Sequence, residues 1–139
     1  QRLLVNRAAA AGYLPLYAAC EFPEQGLPAL ADGLAPHLPI AVMLLGMGTD
    51  MHTASLFPGA DKLTQGLAPD APALVAMRAP GAPEARITLS ARVLDASEHK
   101  HIVIMGDDKR VALEHAQTLT PSVAPVCAVL NDTTVHWAP

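Results

Sequence analysis

A short apolar run that stops at two closely spaced glycines constrains the fold of this chain more than any other feature. The run, IAVMLL at residues 40–45, follows Pro39, and Gly46 and Gly48 come directly after it. Its length and apolar character are typical of a strand covered on both faces, as in parallel sheets. Ligands of open α/β sheets bind at the carboxyl ends of such strands. The sequence therefore predicts a ligand-binding loop after residue 45.

Helical and strand patterns alternate along the rest of the chain, which indicates an α/β fold with a mostly parallel sheet. Leucines spaced by three and four predict an amphipathic helix over residues 24–38. Asp107 and Asp108 predict the N-cap and first turn of a helix that runs to residue 119. The other predicted elements are strands at residues 13–17, 73–77, 86–91, 101–105, 126–130 and 134–137, a loop at 78–85, a helical segment at 93–98 and a helix end at 1–12. A length of 139 residues suits one domain, so we interpret residues 1–139 as a single α/β domain.

Composition argues against several classes of partner. The net charge of −4 disfavours nucleic acid, because neutralising phosphates requires clustered lysine and arginine. No apolar run reaches the roughly 18 residues of a transmembrane helix, so we expect no membrane partner. Residues 7–20 imitate a lipoprotein signal, but Pro15 and two tyrosines interrupt the apolar middle. Cys20 and Cys127 stand far apart without a CxxC motif, which suits a reducing compartment and predicts a cytoplasmic protein. The oligomeric state is left open.

The glycine loop does not fit the common nucleotide-binding motifs. The dinucleotide fingerprint GxGxxG requires a third glycine, but this loop reads GMGTDM, with Met51 at that position. No GK[ST] follows, so a phosphate-binding P-loop is excluded as well. Gly46 and Gly48 lack side chains, and their backbone N–H groups can therefore approach a ligand or a developing oxyanion closely.

Asp50 and His52 are the residues of this loop that could carry acid–base chemistry. A histidine with a near-neutral pKa can take a proton from water and return it to a leaving alkoxide. A neighbouring carboxylate can fix its tautomer and stabilise the imidazolium. The alternative is structural, with His52 capping the next segment and Asp50 binding local backbone N–H groups. The spacing alone leaves both interpretations open.

We predict no metal site. His99 and His101 fall on one side of a predicted strand by alternation, as two ligands would. A third ligand is not evident nearby in the sequence, and protein zinc sites use three or four.

The motifs in this chain resemble those of the 6-phosphogluconolactonase family. GMGTDMHTASLFPG, from Gly46 to Gly59, resembles the family signature GxGxDGHxASLFPG. RITL at residues 86–89 resembles the second motif, and residues 93–113, with the step from Gly106 to Lys109, resemble the third block. VHW at residues 135–137 resembles the closing strand. The resemblance covers roughly residues 41–137.

The resemblance implies a Rossmann-like α/β fold and the hydrolysis of 6-phospho-D-glucono-1,5-lactone to 6-phosphogluconate, in the oxidative pentose phosphate pathway. It implies a small sugar-phosphate lactone as substrate and no metal or organic cofactor. His52 would be the general base that activates water, and Asp50 would orient it. Amides around Gly46 and Gly48 would face the oxyanion.

Arg86 and Lys109 are the residues that we expect at the substrate phosphate. A guanidinium offers a planar fork and an ammonium a point charge, and both suit a dianionic group. Without the resemblance, each residue would be interpreted as an ordinary surface charge.

Two alternatives to lactone hydrolysis stay open. A glucosamine-6-phosphate deaminase or isomerase is one, although its glutamate five residues after the motif histidine is Phe57 here. A non-catalytic or degenerate sugar-phosphate-binding domain is the other, favoured by Met51 where the family usually has glycine. The family's N-terminal phosphate loop is not found in this sequence, and the first residue is Gln1. We therefore expect an N-terminally incomplete domain.

Overall fold

Residues 8–80 and 82–139 are described by the computed structural model of the chain. Its helices are α1 (Pro23–Leu34), α2 (Leu63–Leu67), α3 (Ala91–Asp95) and α4 (Asp107–Ala116). Its strands are β1 (Val42–Gly46), β2 (Leu74–Ala79), β3 (Ala82–Leu89), β4 (His99–Met105) and β5 (Thr133–Ala138). Short 3₁₀ helices span Ala35–His37 and Pro125–Val129. The helix end predicted at residues 1–12 lies mostly outside the described residues.

Strands β1, β4 and β5 form a parallel sheet in which β4 is central. Leu44 of β1 lies opposite His101 of β4, and Val103 lies opposite His136 of β5. The predicted α/β fold with a parallel sheet is therefore confirmed. Because parallel strands direct their carboxyl ends to the same edge of the sheet, the loops that follow β1 and β4 are neighbours.

One face of this sheet carries the core. Met43 and Leu45 of β1 are buried together with Ile102 of β4, against side chains of α3 and α4. Val42 and Leu44 point the other way and are 60% and 69% exposed. The prediction that this strand is covered on both faces is therefore wrong for the described residues, since side chains of α3 and α4 pack on the Met43 side while Val42 and Leu44 stay exposed.

Strands β2 and β3 pair antiparallel in a separate two-stranded sheet, from Leu74 opposite Leu89 to Ala79 opposite Ala82. The loop predicted at residues 78–85 is therefore wrong, because most of it belongs to this hairpin. Proline signals a break because it cannot donate a ladder hydrogen bond, but Pro80 lies in the turn between the two strands and Pro83 is only the second residue of β3.

The two longest predicted helices are confirmed with shorter bounds. Helix α1 begins with Pro23, which suits the first turn because an N–H there has no partner within the helix. Helix α4 begins at Asp107, but Gly106, with a φ of 90°, is its N-cap instead of Asp107. None of the described helices is long and apolar enough to cross a membrane.

Several shorter predictions fail. Residues 13–17 form no strand, and residues 126–130, predicted as a strand, form most of the 3₁₀ helix Pro125–Val129. Val126 and Val129 are both buried there, at the three-residue spacing of such a helix. A short apolar run does not distinguish the two structures by periodicity. Helix α2 carries too few residues to show a period and was not predicted.

Candidate active site

The loop that leaves β1 is held in place by hydrogen bonds to its own start and to β3. The Thr53 hydroxyl donates to the Gly46 carbonyl at 2.9 Å, and Thr53 is fully buried. The Ser55 amide donates to Oγ1 of Thr88 at 3.2 Å. These bonds tie both ends of the segment to strands, so its polar side chains have a defined position at the sheet edge.

Asp50 and His52 form a hydrogen-bonded pair within this loop. Nδ1 of His52 lies 2.6 Å from Oδ1 of Asp50, and the His52 backbone amide donates to the same oxygen at 3.3 Å. When Nδ1 donates to the carboxylate, Nε2 of the neutral ring carries the lone pair and can accept a proton. Both side chains are partly exposed, so solvent can reach the pair.

Gly48 leaves room for that pair. A Cβ atom at this position would overlap Nδ1 of His52 and Oδ1 of Asp50. The two side chains therefore lie directly over the Gly48 backbone. Any residue with a side chain would displace them, which is a steric requirement for glycine that is independent of φ.

The backbone N–H groups of Gly46 and Gly48 point in different directions. The Gly48 N–H donates to the His52 carbonyl at 3.1 Å, so the expectation that it faces an oxyanion is not met in this conformation. The Gly46 amide is directed elsewhere. The His99 amide donates to the carbonyl of Ala41. The backbone N–H and C=O groups of the odd-numbered residues of β1 therefore point toward β4, and those of the even-numbered residues point away from it. The Gly46 N–H therefore points to the other edge of β1, which has no strand beside it among the described residues.

Met51 adopts the left-handed conformation that glycine would favour, with a φ of 64°. Its carbonyl accepts a hydrogen bond from the Val126 amide at 3.1 Å, and its side chain is half-buried against the core. The thioether thus packs inward and does not line the cleft beside His52. A residue other than glycine in this conformation carries about 1–2 kcal/mol of local strain.

A cleft of about 390 Å³ opens beside the pair. Its lining residues come from the end of β1, from the loop and from α4: Leu44, Leu45, Gly46, Met47, Gly48, His52, Ala54 and Lys109. Most of the predicted site residues therefore border one space. Asp50 does not line the cleft but is hydrogen-bonded to His52, which does.

Lys109 and Arg86 take different positions. Lys109 lies in the first turn of α4 and lines the cleft. The Trp137 indole N–H donates to the Gly106 carbonyl at 3.1 Å, which fastens the turn in front of α4 to β5. Arg86 lies on β3, outside the cleft lining, with its guanidinium over the Phe57 ring. Neither cation forms an ion pair with any residue in ranges 8–80 and 82–139.

Phe57 was not predicted as a site residue, although it belongs to the matched signature GMGTDMHTASLFPG. Its ring stacks on the His52 imidazole, with the ring centroids 4.2 Å apart and the planes inclined by 28°. From the sequence, Phe57 was one matching residue of that signature and marked the absence of the deaminase glutamate. Its place five residues after His52 in a short loop was the signal that could have indicated a contact.

His101 pairs with His136 and not with His99, the residue that strand alternation placed on the same side. Nδ1 of His101 lies 3.0 Å from Nε2 of His136 on the neighbouring strand, and His99 is exposed. Within the described part of the chain, no group of three or more His, Cys, Asp or Glu side chains could hold a metal ion.

Comparisons with known proteins find relatives that are similar to nearly the whole chain. The chain is 37% identical over 145 residues to a 6-phosphogluconolactonase of Rhizobium meliloti (strain 1021), and 39% identical over 146 residues to one of Mesorhizobium japonicum. The alignments cover 99% of this chain and 62% and 60% of those proteins. The crystal structure of a 6-phosphogluconolactonase from Shewanella baltica OS155 is similar with a TM-score of 0.91 and 31% identity, and the match covers 99% of this chain and 61% of that one.

The chain thus spans about three fifths of the length of the curated relatives that it matches. The family described as glucosamine-6-phosphate isomerases/6-phosphogluconolactonase matches residues 1–137, a range that includes the loop after β1, the Arg86 strand and the first turn of α4. The chain belongs to this glucosamine-6-phosphate isomerase/6-phosphogluconolactonase family.

Proposed function

We propose that this protein hydrolyses 6-phospho-D-glucono-1,5-lactone to 6-phosphogluconate, in the oxidative pentose phosphate pathway. The observation that carries the proposal is the Asp50–His52 pair at the wall of a cleft that Lys109 also lines. The names of the relatives support the same reaction. The proposed reaction uses water and the chain's own side chains, without a metal or organic cofactor.

In the proposed mechanism, Nε2 of His52 removes a proton from a water molecule as the water oxygen attacks the lactone carbonyl carbon. The carbonyl π electrons move to oxygen and form a tetrahedral oxyanion. When the oxyanion collapses, the bond to the ring oxygen breaks, and His52 returns its proton to that oxygen. Asp50 stabilises the imidazolium that exists between these steps, because a carboxylate 2.6 Å from Nδ1 favours the charged ring.

The oxyanion needs hydrogen-bond donors that are already in place. We assign this role to the Gly46 amide, since it lies at the cleft and points to the unpaired edge of β1. The Gly48 amide has no such role in this conformation, because the His52 carbonyl accepts its proton.

We assign the substrate phosphate to Lys109, with Arg86 as a second cation. Lys109 lines the cleft and has no acidic partner among the described residues, so an anionic ligand would meet no competing carboxylate there. Arg86 is exposed on β3 beside Phe57, so its flexible side chain can turn toward a phosphate at the cleft.

Phe57 favours the lactonase over the deaminase. The residue that contacts the His52 ring is a phenyl group, which cannot take or give a proton during sugar ring opening. We further propose a cytoplasmic location, which the unpaired thiols of Cys20 and Cys127 support.

A lactone-clearance assay tests the proposed function. The rate of disappearance of 6-phosphogluconolactone is measured for the unmodified chain, His52→Gln and His115→Gln, each corrected for spontaneous hydrolysis. His115 is an exposed histidine on α4 and provides the matched control. We expect His52→Gln to lower kcat by about 10²–10⁴-fold, which is the usual contribution of a general base, and His115→Gln to leave it unchanged. Equal rates for all three proteins would favour a non-catalytic sugar-phosphate-binding domain.

A further inference from the structure

We propose that Phe57 is a positioning residue that sets both the plane of the His52 imidazole and the resting place of the Arg86 guanidinium. The inference rests on the proposed function, because it concerns the same acid–base group and the same phosphate-binding cation. It adds a residue that touches neither the water nor the lactone and acts through its two neighbours.

The Phe57 ring is itself held firmly. Its side chain is 6% exposed, and the preceding residue, Leu56, is fully buried in the core. The Leu56 amide donates to the Thr53 carbonyl at 2.9 Å, and the Ala60 amide donates to the Phe57 carbonyl at 3.1 Å. Tight turns on both sides therefore fix the backbone that carries the ring, so the ring can act as a rigid surface.

The hydrogen bond from His52 to Asp50 leaves the imidazole free to rotate, and stacking on the Phe57 ring prevents this rotation. A single contact at Nδ1 fixes the direction of that atom but permits the imidazole to rotate about the line to Oδ1 of Asp50. The face of Phe57, 4.2 Å from the imidazole centroid, defines the plane of the ring. Gly48 leaves the space in which the pair lies. Together these contacts determine where Nε2 points.

The same aromatic ring holds Arg86. The Arg86 Cζ atom lies 5.6 Å from the ring centroid, within the range of a cation–π contact. An acidic partner would hold the guanidinium as well, but it would compete with a phosphate for the positive charge. The face of a phenyl ring attracts the cation without neutralising it. Phe57 thus contacts both His52 and a charged arginine, and it leaves that arginine available to an anion.

The test compares Phe57→Leu, which keeps most of the volume but loses the ring, with Phe57→Tyr, which keeps the ring. The first measurement is the NMR spectrum of the His52 ring protons in the whole chain, which needs no activity. A stacked phenyl ring shifts these resonances by its ring current. We expect Phe57→Leu to lose this shift and Phe57→Tyr to retain it. His52 resonances that are identical in Phe57→Leu and the unmodified chain would overturn the proposal.

The second measurement is lactone hydrolysis and phosphate affinity. We expect Phe57→Leu to lower kcat by up to about tenfold, as for the loss of one aromatic pair. We expect it also to weaken the binding of inorganic phosphate by about two- to fivefold, as for one exposed cation–π contact. Phe57→Tyr should restore both values. A general loss of folding would lower the apparent kcat but would not weaken the phosphate affinity of the molecules that stay folded.

Leu56→Val is the control for a merely structural role. It removes one methylene from the core next to Phe57 and should lower the melting temperature without changing the His52 resonances or kcat below that temperature. If Leu56→Val lowers kcat as much as Phe57→Leu at matched stability, the positioning role is refuted. If the unmodified chain shows no lactone hydrolysis, the proposed function fails, but the His52 resonances and phosphate binding still test Phe57.

Discussion

Nδ1 of His52 and Oδ1 of Asp50 lie 2.6 Å apart, so the two residues form one unit. If Asp50 acts only by orienting His52 and stabilising its charged ring, removing His52 also removes the contribution of Asp50, whereas removing Asp50 leaves the imidazole in place. We expect Asp50→Asn to lower kcat for lactone hydrolysis, by less than His52→Gln does. In the double variant, Asp50→Asn should cause no further loss, because residues that act as a unit are not additive. Additive losses, measured as kcat/KM for the four proteins, would show that Asp50 has a separate role.

Gly48→Ala should disrupt this pair while leaving most of the fold intact. The added methyl group would overlap both side chains, so we expect kcat to fall by about tenfold or more through misplacement of the base. Far-UV circular dichroism should stay unchanged. Gly33→Ala is the matched control, because its Cβ would meet only an ordinary contact with Leu14 and its place in α1 favours alanine. Full activity in Gly48→Ala would contradict the proposed geometry.

Lys109→Ala should weaken the recognition of phosphate without affecting the chemistry. We expect KM for the phosphorylated lactone to rise by about tenfold, as for the loss of one charge-assisted hydrogen bond, with kcat little changed. Arg86→Ala should have a smaller effect in the same direction, since Arg86 lies outside the cleft lining. The unphosphorylated gluconolactone is the internal control, because its hydrolysis should respond to neither substitution. An unchanged KM in both variants would remove these residues from the site.

Met51 provides a test of backbone strain. Met51→Gly and Met51→Ala both lose the packing of the thioether on the core, so both should be less stable than the unmodified chain. Because the φ of residue 51 is 64°, the glycine variant should be more stable than the alanine variant by about 1 kcal/mol. Urea unfolding measures the difference.

Position 111 provides the control for this comparison. Val111 is an exposed residue within α4, where alanine is favoured over glycine by about 1 kcal/mol. Val111→Ala should therefore be more stable than Val111→Gly, which is the opposite order. The same order at both positions would show that residue 51 does not need the left-handed conformation.

Glu24 links helix α1 to β2 and gives stability a dependence on pH. The carboxylate accepts hydrogen bonds from Arg78, at 2.6 and 3.0 Å, and from Lys62, at 3.1 Å. Arg78, followed by a backbone hydrogen bond and Lys62, lowers the pKa of Glu24 from 4.5 to about 2. A lowered pKa stabilises the folded state above the unfolded pKa. This stability is lost as the pH falls toward the folded pKa.

Glu24→Gln should therefore unfold more easily than the unmodified chain at pH 7. The difference in free energy of unfolding should shrink between pH 4.5 and about 2, where the carboxyl group protonates. The effect is modest because the group is exposed, and high salt should reduce it. Glu114→Gln, at an exposed position of α4, should show no such dependence. A difference that persists unchanged to pH 2 would rule out this ion pair as its cause.

Much of the fold follows from local patterns. The apolar run at residues 40–45 and the leucine spacing after residue 23 predict β1 and α1, because each pattern has the period of its structure. The patterns fail where a segment is too short to show a period, as in α2 and in the 3₁₀ helix Pro125–Val129. They fail also at the β2–β3 hairpin, where two prolines indicated a loop, but Pro80 lies in the turn between the strands and Pro83 is the second residue of β3.

The sequence by itself determined that Asp50 and His52 are within reach of each other, because two residues so close along one loop cannot be far apart in space. Only the tertiary structure decided that Lys109 borders the same cleft and that Phe57 lies between His52 and Arg86 in the network of contacts. Lys109 reaches the cleft because β1 and β4 pair in parallel, so that their following loops meet. Strand order depends on how the whole core packs, and no local pattern in the chain contains that information.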